Sequence, residues 1–190
     1  MQAIETFEPY EYMVLPSGSC AAQVIVHYPA LLAGDVVWEP RARALAAKTF
    51  ELTVFLNDVV KTAPKARFEG AVTYHDSCSG LRELGVSAQP RELLANVEGL
   101  RLVEMKDADV CCGFGGTFCV KYPDVSNKIV SNKTANIATS GAATLLAGDL
   151  GCLMNMAGKL SREGRNVKVR HVAEVLAGMA GEPAIGETER

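Results

Sequence analysis

Two adjacent cysteines followed by a glycine, Cys111-Cys112-Gly113, are the residues of this 190-residue chain best suited to chemistry. One cysteine lies far upstream, at Cys78, and another lies far downstream, at Cys152. Thiolates are soft ligands that favour iron–sulfur clusters, zinc and copper(I). Adjacent residues of a strand point to opposite faces, so two neighbouring cysteines that share a ligand require a bent loop, which Gly113 permits. Four thiolates from three distant segments therefore indicate a metal or cluster pocket.

The glycines that follow the cysteine pair could be mistaken for a dinucleotide-binding loop. The spacing of Gly113, Gly115 and Gly116 does not fit G-x-G-x-x-G, because Phe118 stands where the third glycine belongs. We interpret the loop instead as a set of backbone N–H groups, with that of Gly113 foremost, that line the pocket and stabilise its negative charge.

The elements that must position these cysteines follow from the pattern of apolar residues. Short apolar runs predict five strands, at residues 12–15, 72–75, 102–105, 144–147 and 167–170. Helical spacing predicts helices at residues 20–28, 40–59, 90–96, 126–139, 151–164 and 172–179. This alternation predicts an α/β fold, a layered and mostly parallel sheet with helices on both faces.

The predicted strands also suggest where the cysteines meet. Cys20, Cys78 and Cys152 each come directly after a predicted strand, and Cys111 and Cys112 lie in the loop after the third strand. Ligands of such sheets lie outside the carboxyl ends of the strands. All five cysteines can therefore converge at one edge of the sheet.

Composition excludes several classes of function. A net charge of −3 argues against nonspecific binding to nucleic acid, which needs a basic surface. The apolar stretches are interrupted well before 18 residues, so we expect no membrane span. The first residues show no secretory signal, and six cysteines in such a chain favour metal or redox ligands over disulfides. We expect a cytoplasmic protein.

Three segments together resemble a known family. Residues 74–78 (YHDSC), 110–118 (VCCGFGGTF) and 151–155 (GCLMN) are similar to the second repeat of the CCG-domain, or cysteine-rich domain, family of iron–sulfur proteins. Within it they most resemble the lactate utilisation protein A type. That family is related to a cysteine-rich subunit of heterodisulfide reductase and to the iron–sulfur subunit of glycolate oxidase. The similarity extends from Tyr12 to Ala177.

The resemblance implies a ligand set and a function. It implies that Cys78, Cys111, Cys112 and Cys152 hold a 4Fe-4S cluster, of cubane or noncubane geometry. It further implies an electron-transfer subunit of an oxidoreductase that oxidises L-lactate to pyruvate together with other subunits, with glycolate or heterodisulfide as the alternative substrate. Spacing alone leaves open a zinc site with four thiolates. The alternative function is an interaction module, zinc-stabilised or metal-free, without redox activity.

The chain departs from the family pattern in two ways. The family usually carries two repeats, but this chain holds one complete repeat. We interpret residues 1–66 as the C-terminal remnant of a first repeat, residues 67–180 as the complete second repeat and residues 181–190 as a flexible tail. Cys20 would then be an orphan ligand of the missing half, and an uncovered sheet edge near residues 12–15 would favour an oligomer or a hetero-complex. The second departure is Asn155, where broader CCG proteins have a further cysteine.

We also predict the roles or positions of three other side chains near the motifs. His75 is expected to orient the loop or to hydrogen-bond a cluster sulfur, and the alternatives are direct ligation and an ordinary histidine at a strand end. Cys119 is expected to be a packing residue. Lys133 is expected on the surface.

Overall fold

The strands form two separate sheets, both wholly parallel. A computed structural model describes residues 1–187. The first sheet has two strands, in the order β1-β2. The second has four, in the order β4-β3-β5-β6. Their bounds are β1 (Met13–Leu15), β2 (Thr49–Glu51), β3 (Arg67–His75), β4 (Glu98–Leu102), β5 (Thr144–Ala147) and β6 (Lys168–His171).

Helices connect the strands and cover the second sheet on both faces. The helices are α1 (Gln2–Phe7), α2 (Gly18–Ala22), α3 (Tyr28–Leu31), α4 (Trp38–Ala47), α5 (Leu52–Val54), α6 (Cys78–Leu84), α7 (Ala88–Ala95), α8 (Phe118–Lys121), α9 (Pro123–Thr139), α10 (Leu150–Arg162) and α11 (Val172–Leu176). Two π-helical stretches, Gln23–His27 and Phe55–Val60, extend α2 and α5. No helix within residues 1–187 is both long enough and apolar enough to cross a membrane.

The buried strand β5 lies between two apolar layers, which confirms the predicted fold class. Leu145 faces a core cluster shared with α9 and α10, and Leu146 faces a second cluster shared with α7 and α11. All four residues of β5 are buried. A strand buried on both faces, between helical layers, is the arrangement typical of parallel α/β sheets.

The prediction of one helix over residues 40–59 was wrong. α4 ends at Ala47, and β2 follows and pairs with β1, with Val14 opposite Phe50. The Glu51 carboxylate then accepts hydrogen bonds from the backbone N–H groups of Thr53 and Val54, which starts α5. Helical periodicity continues through the segment, but strand pairing and this cap outweigh the local propensity.

The strand predicted at residues 102–105 is found earlier in the chain, at Glu98–Leu102. Its position is set by pairing with β3, where Gly70 lies opposite Leu100 and Val72 lies opposite Leu102. The apolar run at residues 102–105 overlaps this strand only at its last residue, Leu102.

The start of α2, next to the first sheet, contacts the helices α6 and α10 of the second. The carboxylate of Asp149 accepts hydrogen bonds from the Ser17 hydroxyl, at 2.9 Å, and from the Ser19 backbone N–H, at 3.1 Å. Gly18 lies against Gly80 of α6, so closely that a Cβ at Gly18 would stand 2.8 Å from the Gly80 Cα. The start of α2 therefore packs directly on the helix that begins with Cys78.

The described part of the expected flexible tail is held against the second sheet. Ala184 is buried, and the backbone N–H of Ile185 donates to the carbonyl of Val169 at 2.9 Å. Residues 188–190 lie outside the described residues. The division into repeats at residues 1–66 and 67–180 stays a prediction.

Candidate metal centre

Three segments bring cysteines to the carboxyl end of the second sheet. After β3, Cys78 begins α6, and the Ser77 hydroxyl caps that helix. After β5, Asp149 caps α10 and Cys152 lies in its first turn. The loop after β4 supplies the adjacent pair. Helix caps directly after β3 and β5 thus place Cys78 and Cys152 at this edge, and the loop after β4 brings the pair to it.

The four predicted thiols form one continuous series of contacts. Cys78 lies by Cys111, Cys111 by Cys112, and Cys112 by Cys152, each close enough to shift the pKa of its neighbour. Cys112 and Cys152 are buried, whereas Cys78 and Cys111 are half-buried. The sulfurs therefore converge as the sequence predicted, and their role as ligands stays a prediction.

The environment of these thiols favours their protonated form. The neighbouring thiol of Cys112, followed by burial, raises the pKa of Cys111, and burial, followed by the thiol of Cys111, raises that of Cys78. For Cys112 the neighbouring thiol of Cys111 lowers the pKa, but the thiol of Cys152 and burial outweigh that effect and raise the pKa to about 12. Since metals bind thiolates, metal binding at neutral pH would release these protons.

Three hydrogen bonds hold the bend at the cysteine pair. Gly113 has φ +86°, and a Cβ there would stand 2.8 Å from the carbonyl oxygen of Ser126. The Ser126 hydroxyl donates to the Gly113 carbonyl at 2.7 Å, and the Gly113 N–H lies 3.3 Å from the Cys111 sulfur. Asn155 donates its side-chain amide to the Cys112 carbonyl at 2.9 Å. Asn155 therefore fixes the loop at the position where the broader family has a cysteine.

His75 lies inside the pocket and is fully buried. One of its ring nitrogens and the sulfurs of Cys112 and Cys152 lie within 4.8 Å of one another. Nδ1 lies 3.2 Å from the carbonyl oxygen of Ala108, whereas Nε2 is buried and has no partner among the described residues. Burial, followed by the charge of Lys133, lowers the pKa of His75 to about 3. The ring is therefore neutral near pH 7.

The expectation that Lys133 lies on the surface was wrong. Its side chain is 2% exposed, and its Nζ donates to the backbone carbonyls of Asp107 and Ala108. Burial lowers its pKa, while the neighbouring Cys112 opposes that shift. The signal in the sequence was its place between Val130 and Ile137, on the buried stripe of α9. Lys133 thus brings a positive charge to the loop that carries the cysteine pair.

Asp76, which is buried, and Arg91, which is partly exposed, form an ion pair that sequence reasoning missed. Arg91 binds both carboxylate oxygens of Asp76, at 2.8 and 2.9 Å. The backbone N–H of Asp76 donates to the Ala108 carbonyl at 3.1 Å, so this pair supports the turn between β3 and α6.

The two remaining cysteines lie outside the series of thiol contacts. Cys20 is exposed, on α2. Cys119 is half-buried on α8, and its thiol donates to the carbonyl of Gly116 at 3.1 Å. The expected convergence of five cysteines is therefore a convergence of four.

Comparison with known proteins gives the same family. The family model described as "Cysteine-rich domain" (CCG) matches residues 72–157, which include all four converging thiols. Lactate utilization protein A from an Exiguobacterium species is 51% identical over 176 residues, covering 91% of this chain and 71% of the relative. Proteins of the same name from a Geobacillus species and from Lysinibacillus sphaericus are 49% and 47% identical, covering 91% of this chain and 73% and 76% of the relatives. The chain belongs to the lactate utilization protein A family, and residues 72–157 are its cysteine-rich CCG domain.

Proposed function

We propose that this chain is an iron–sulfur subunit that carries electrons during the oxidation of L-lactate to pyruvate. The observation that carries the proposal is the convergence of Cys78, Cys111, Cys112 and Cys152 at the carboxyl edge of one parallel sheet. The name of the relatives, lactate utilization protein A, supports the choice of lactate.

The donor set fits an iron–sulfur cluster. Four soft sulfur donors stand together, two of them buried, and four cysteine thiolates are the usual ligands of a 4Fe-4S cluster. A cluster held here would accept and release single electrons, at a potential set by its ligands, hydrogen bonds and burial. Gly113 directs its N–H at the Cys111 sulfur, and Lys133 supplies a buried positive charge nearby. Both features favour the thiolate form that ligation needs.

We place the lactate-oxidising centre in another subunit, so that this chain has a non-catalytic or co-catalytic role. β1 has a single partner strand among the described residues, and β1 can therefore accept a strand from another chain. This edge supports the proposal of a hetero-complex or an oligomer.

Zinc binding is the second candidate. Three of the donor residues, His75, Cys112 and Cys152, already lie close enough to hold one ion. Structural zinc sites use four cysteines, three cysteines and one histidine, or two of each. A zinc site here would stabilise an interaction module and would transfer no electrons.

The test is metal and sulfide analysis of protein purified without oxygen. We expect iron together with acid-labile sulfide in the wild type, and loss of both in Cys111→Ser and Cys112→Ser, because each variant removes a sulfur donor. Cys119→Ser is the matched control, since its thiol hydrogen-bonds the Gly116 carbonyl outside the series of four thiols, and it should keep wild-type iron. Zinc without sulfide in the wild type, or full iron content in the first two variants, would refute the proposal.

A further inference from the structure

We propose that His75 is a direct ligand of the metal, through Nε2, beside Cys112 and Cys152. This inference deepens the proposed function and rests on it in one respect, namely that the thiols hold a metal. It adds a neutral nitrogen donor to the four sulfurs, in place of a role for His75 as a hydrogen-bond donor to a cluster sulfur.

The neighbour of Nδ1 determines which ring nitrogen carries the proton. Nδ1 lies 3.2 Å from the carbonyl oxygen of Ala108. A carbonyl oxygen can only accept a hydrogen bond, so Nδ1 must be the donor. In a neutral imidazole the other nitrogen then has a free lone pair and no hydrogen. Nε2 of His75 can therefore accept or ligate, but cannot donate.

This lone pair has no partner in the described part of the chain. The His75 side chain is 0% exposed, and Nε2 makes no hydrogen bond with any described residue. Buried polar atoms in folded proteins are almost always paired, and an unpaired one needs an explanation. A metal at this position would supply the missing partner.

The neighbouring sulfurs stand at the spacing that a shared metal needs. A ring nitrogen of His75 and the sulfurs of Cys112 and Cys152 lie within 4.8 Å of one another. Metal–nitrogen bonds of about 2.0 Å and metal–sulfur bonds of about 2.3 Å fit within that spacing. Since Nδ1 is engaged by Ala108, Nε2 is the atom available to the metal.

The contact with Ala108 is also the one that a ligating histidine commonly makes. Histidines that bind metals usually donate the second ring N–H to a carbonyl or carboxylate, which fixes the ring and its tautomer. The Ala108 carbonyl is itself held, because Lys133 and the backbone N–H of Asp76 donate to it. The ring is therefore fixed in the orientation that ligation requires.

Pulsed EPR on metal-loaded protein tests the proposal without reference to activity. The protein carries 15N-labelled histidine, and the cluster is brought to a paramagnetic state. We expect a nitrogen coupling of the size of a directly bound imidazole, which changes with the label. The coupling should disappear in His75→Asn and persist in His27→Asn, an exposed control. In His75→Asn the side-chain amide can still donate a hydrogen bond to the Ala108 carbonyl, but the variant lacks the Nε2 atom that would bind the metal.

The outcomes separate this inference from the proposed function. A paramagnetic iron–sulfur cluster without histidine coupling would overturn the ligand assignment and leave the proposed function intact. If the protein holds zinc instead, the proposed function fails. X-ray absorption at the zinc edge then shows whether a nitrogen of His75 is among the zinc ligands. One nitrogen neighbour, lost in His75→Asn, would support the assignment, and a shell of sulfur alone would overturn it. Labelling of the wild type gives the answer even if His75→Asn does not fold.

Discussion

At the scale of single residues, the candidate site combines thiols that the sequence predicts with polar residues that it does not. The adjacent cysteines and Gly113 are a local pattern, so their bend can be read directly from the chain. The spacing of α9 signals that Lys133 faces the core, but its partners could not be read from the chain, because they are two carbonyls that lie 25 and 26 residues away. The same holds for the contact of His75 with Ala108, 33 residues along the chain.

Lys133→Met tests whether the buried ammonium supports the loop before the cysteine pair. The variant keeps most of the apolar stem but removes the donors to Asp107 and Ala108. Hydrogen bonds from charged donors contribute about 1.5–3 kcal/mol, and the Asp107 carbonyl loses such a donor, so we expect the free energy of unfolding of the metal-free protein to fall by that amount. Urea denaturation is the measurement.

The exposed Lys128 lies on the same helix and provides the control. Lys128→Met should change the unfolding free energy by less than about 0.5 kcal/mol, as is usual for surface positions. Equal effects of the two substitutions would show that Lys133 does not support the loop. In the metal-loaded protein, loss of the Lys133 charge should also lower the reduction potential, since a nearby cation favours the reduced cluster.

At the scale of elements, the start of each helix after a strand positions the thiols, and close contacts hold these starts in place. Gly151 precedes Cys152 in the first turn of α10 and lies against the ring of Phe114, which follows Gly113 of the cysteine loop. A Cβ at Gly151 would stand 2.5 Å from a ring carbon of Phe114. The small residue therefore lets α10 and the cysteine loop approach each other.

Gly151→Ala should destabilise the protein and loosen the metal site. The Phe114 ring packs against the core and must move to admit the methyl group, which typically costs about 1–3 kcal/mol. Urea denaturation of the metal-free protein, together with iron analysis of the purified one, checks both effects.

Gly158→Ala on the same helix is the matched control. Its added Cβ would meet only the flexible end of Arg162, at 3.4 Å, so the gain in helix propensity should stabilise the protein by about 0.5–1 kcal/mol. Stabilisation by both substitutions would contradict the proposed close packing at Gly151.

The elements also show how far sequence patterns reach. Strands β1, β5 and β6 were predicted within one residue of their bounds, because short apolar runs there are bounded by turn signals. For β3 only the carboxyl-terminal part was predicted, and the strand begins five residues earlier, at Arg67. β2 was missed, because its three residues continue the helical spacing of α4 and their strand pairing is with a distant segment. The separation into two sheets likewise depends on long-range pairing, which apolar periodicity does not encode.

At the scale of the whole molecule, the fold joins a small two-stranded unit to a larger four-stranded one around a shared edge. The first sheet ends beside α6 and α10, the two helices that carry Cys78 and Cys152. Gly18, Gly80 and Asp149 form this junction. The first sheet is therefore linked directly to two of the helices that position the thiols.

The most direct test of the central claim is reduction of the wild-type protein followed by EPR. Protein purified without oxygen is first oxidised with a mild oxidant and then reduced with dithionite. Its EPR spectrum and visible absorbance are recorded in both states. We predict a brown protein whose absorbance falls on reduction and whose cluster gives a paramagnetic signal in one of the two states. An unchanged absorbance and no signal in either state, with zinc as the bound metal or with no metal bound, would contradict the account.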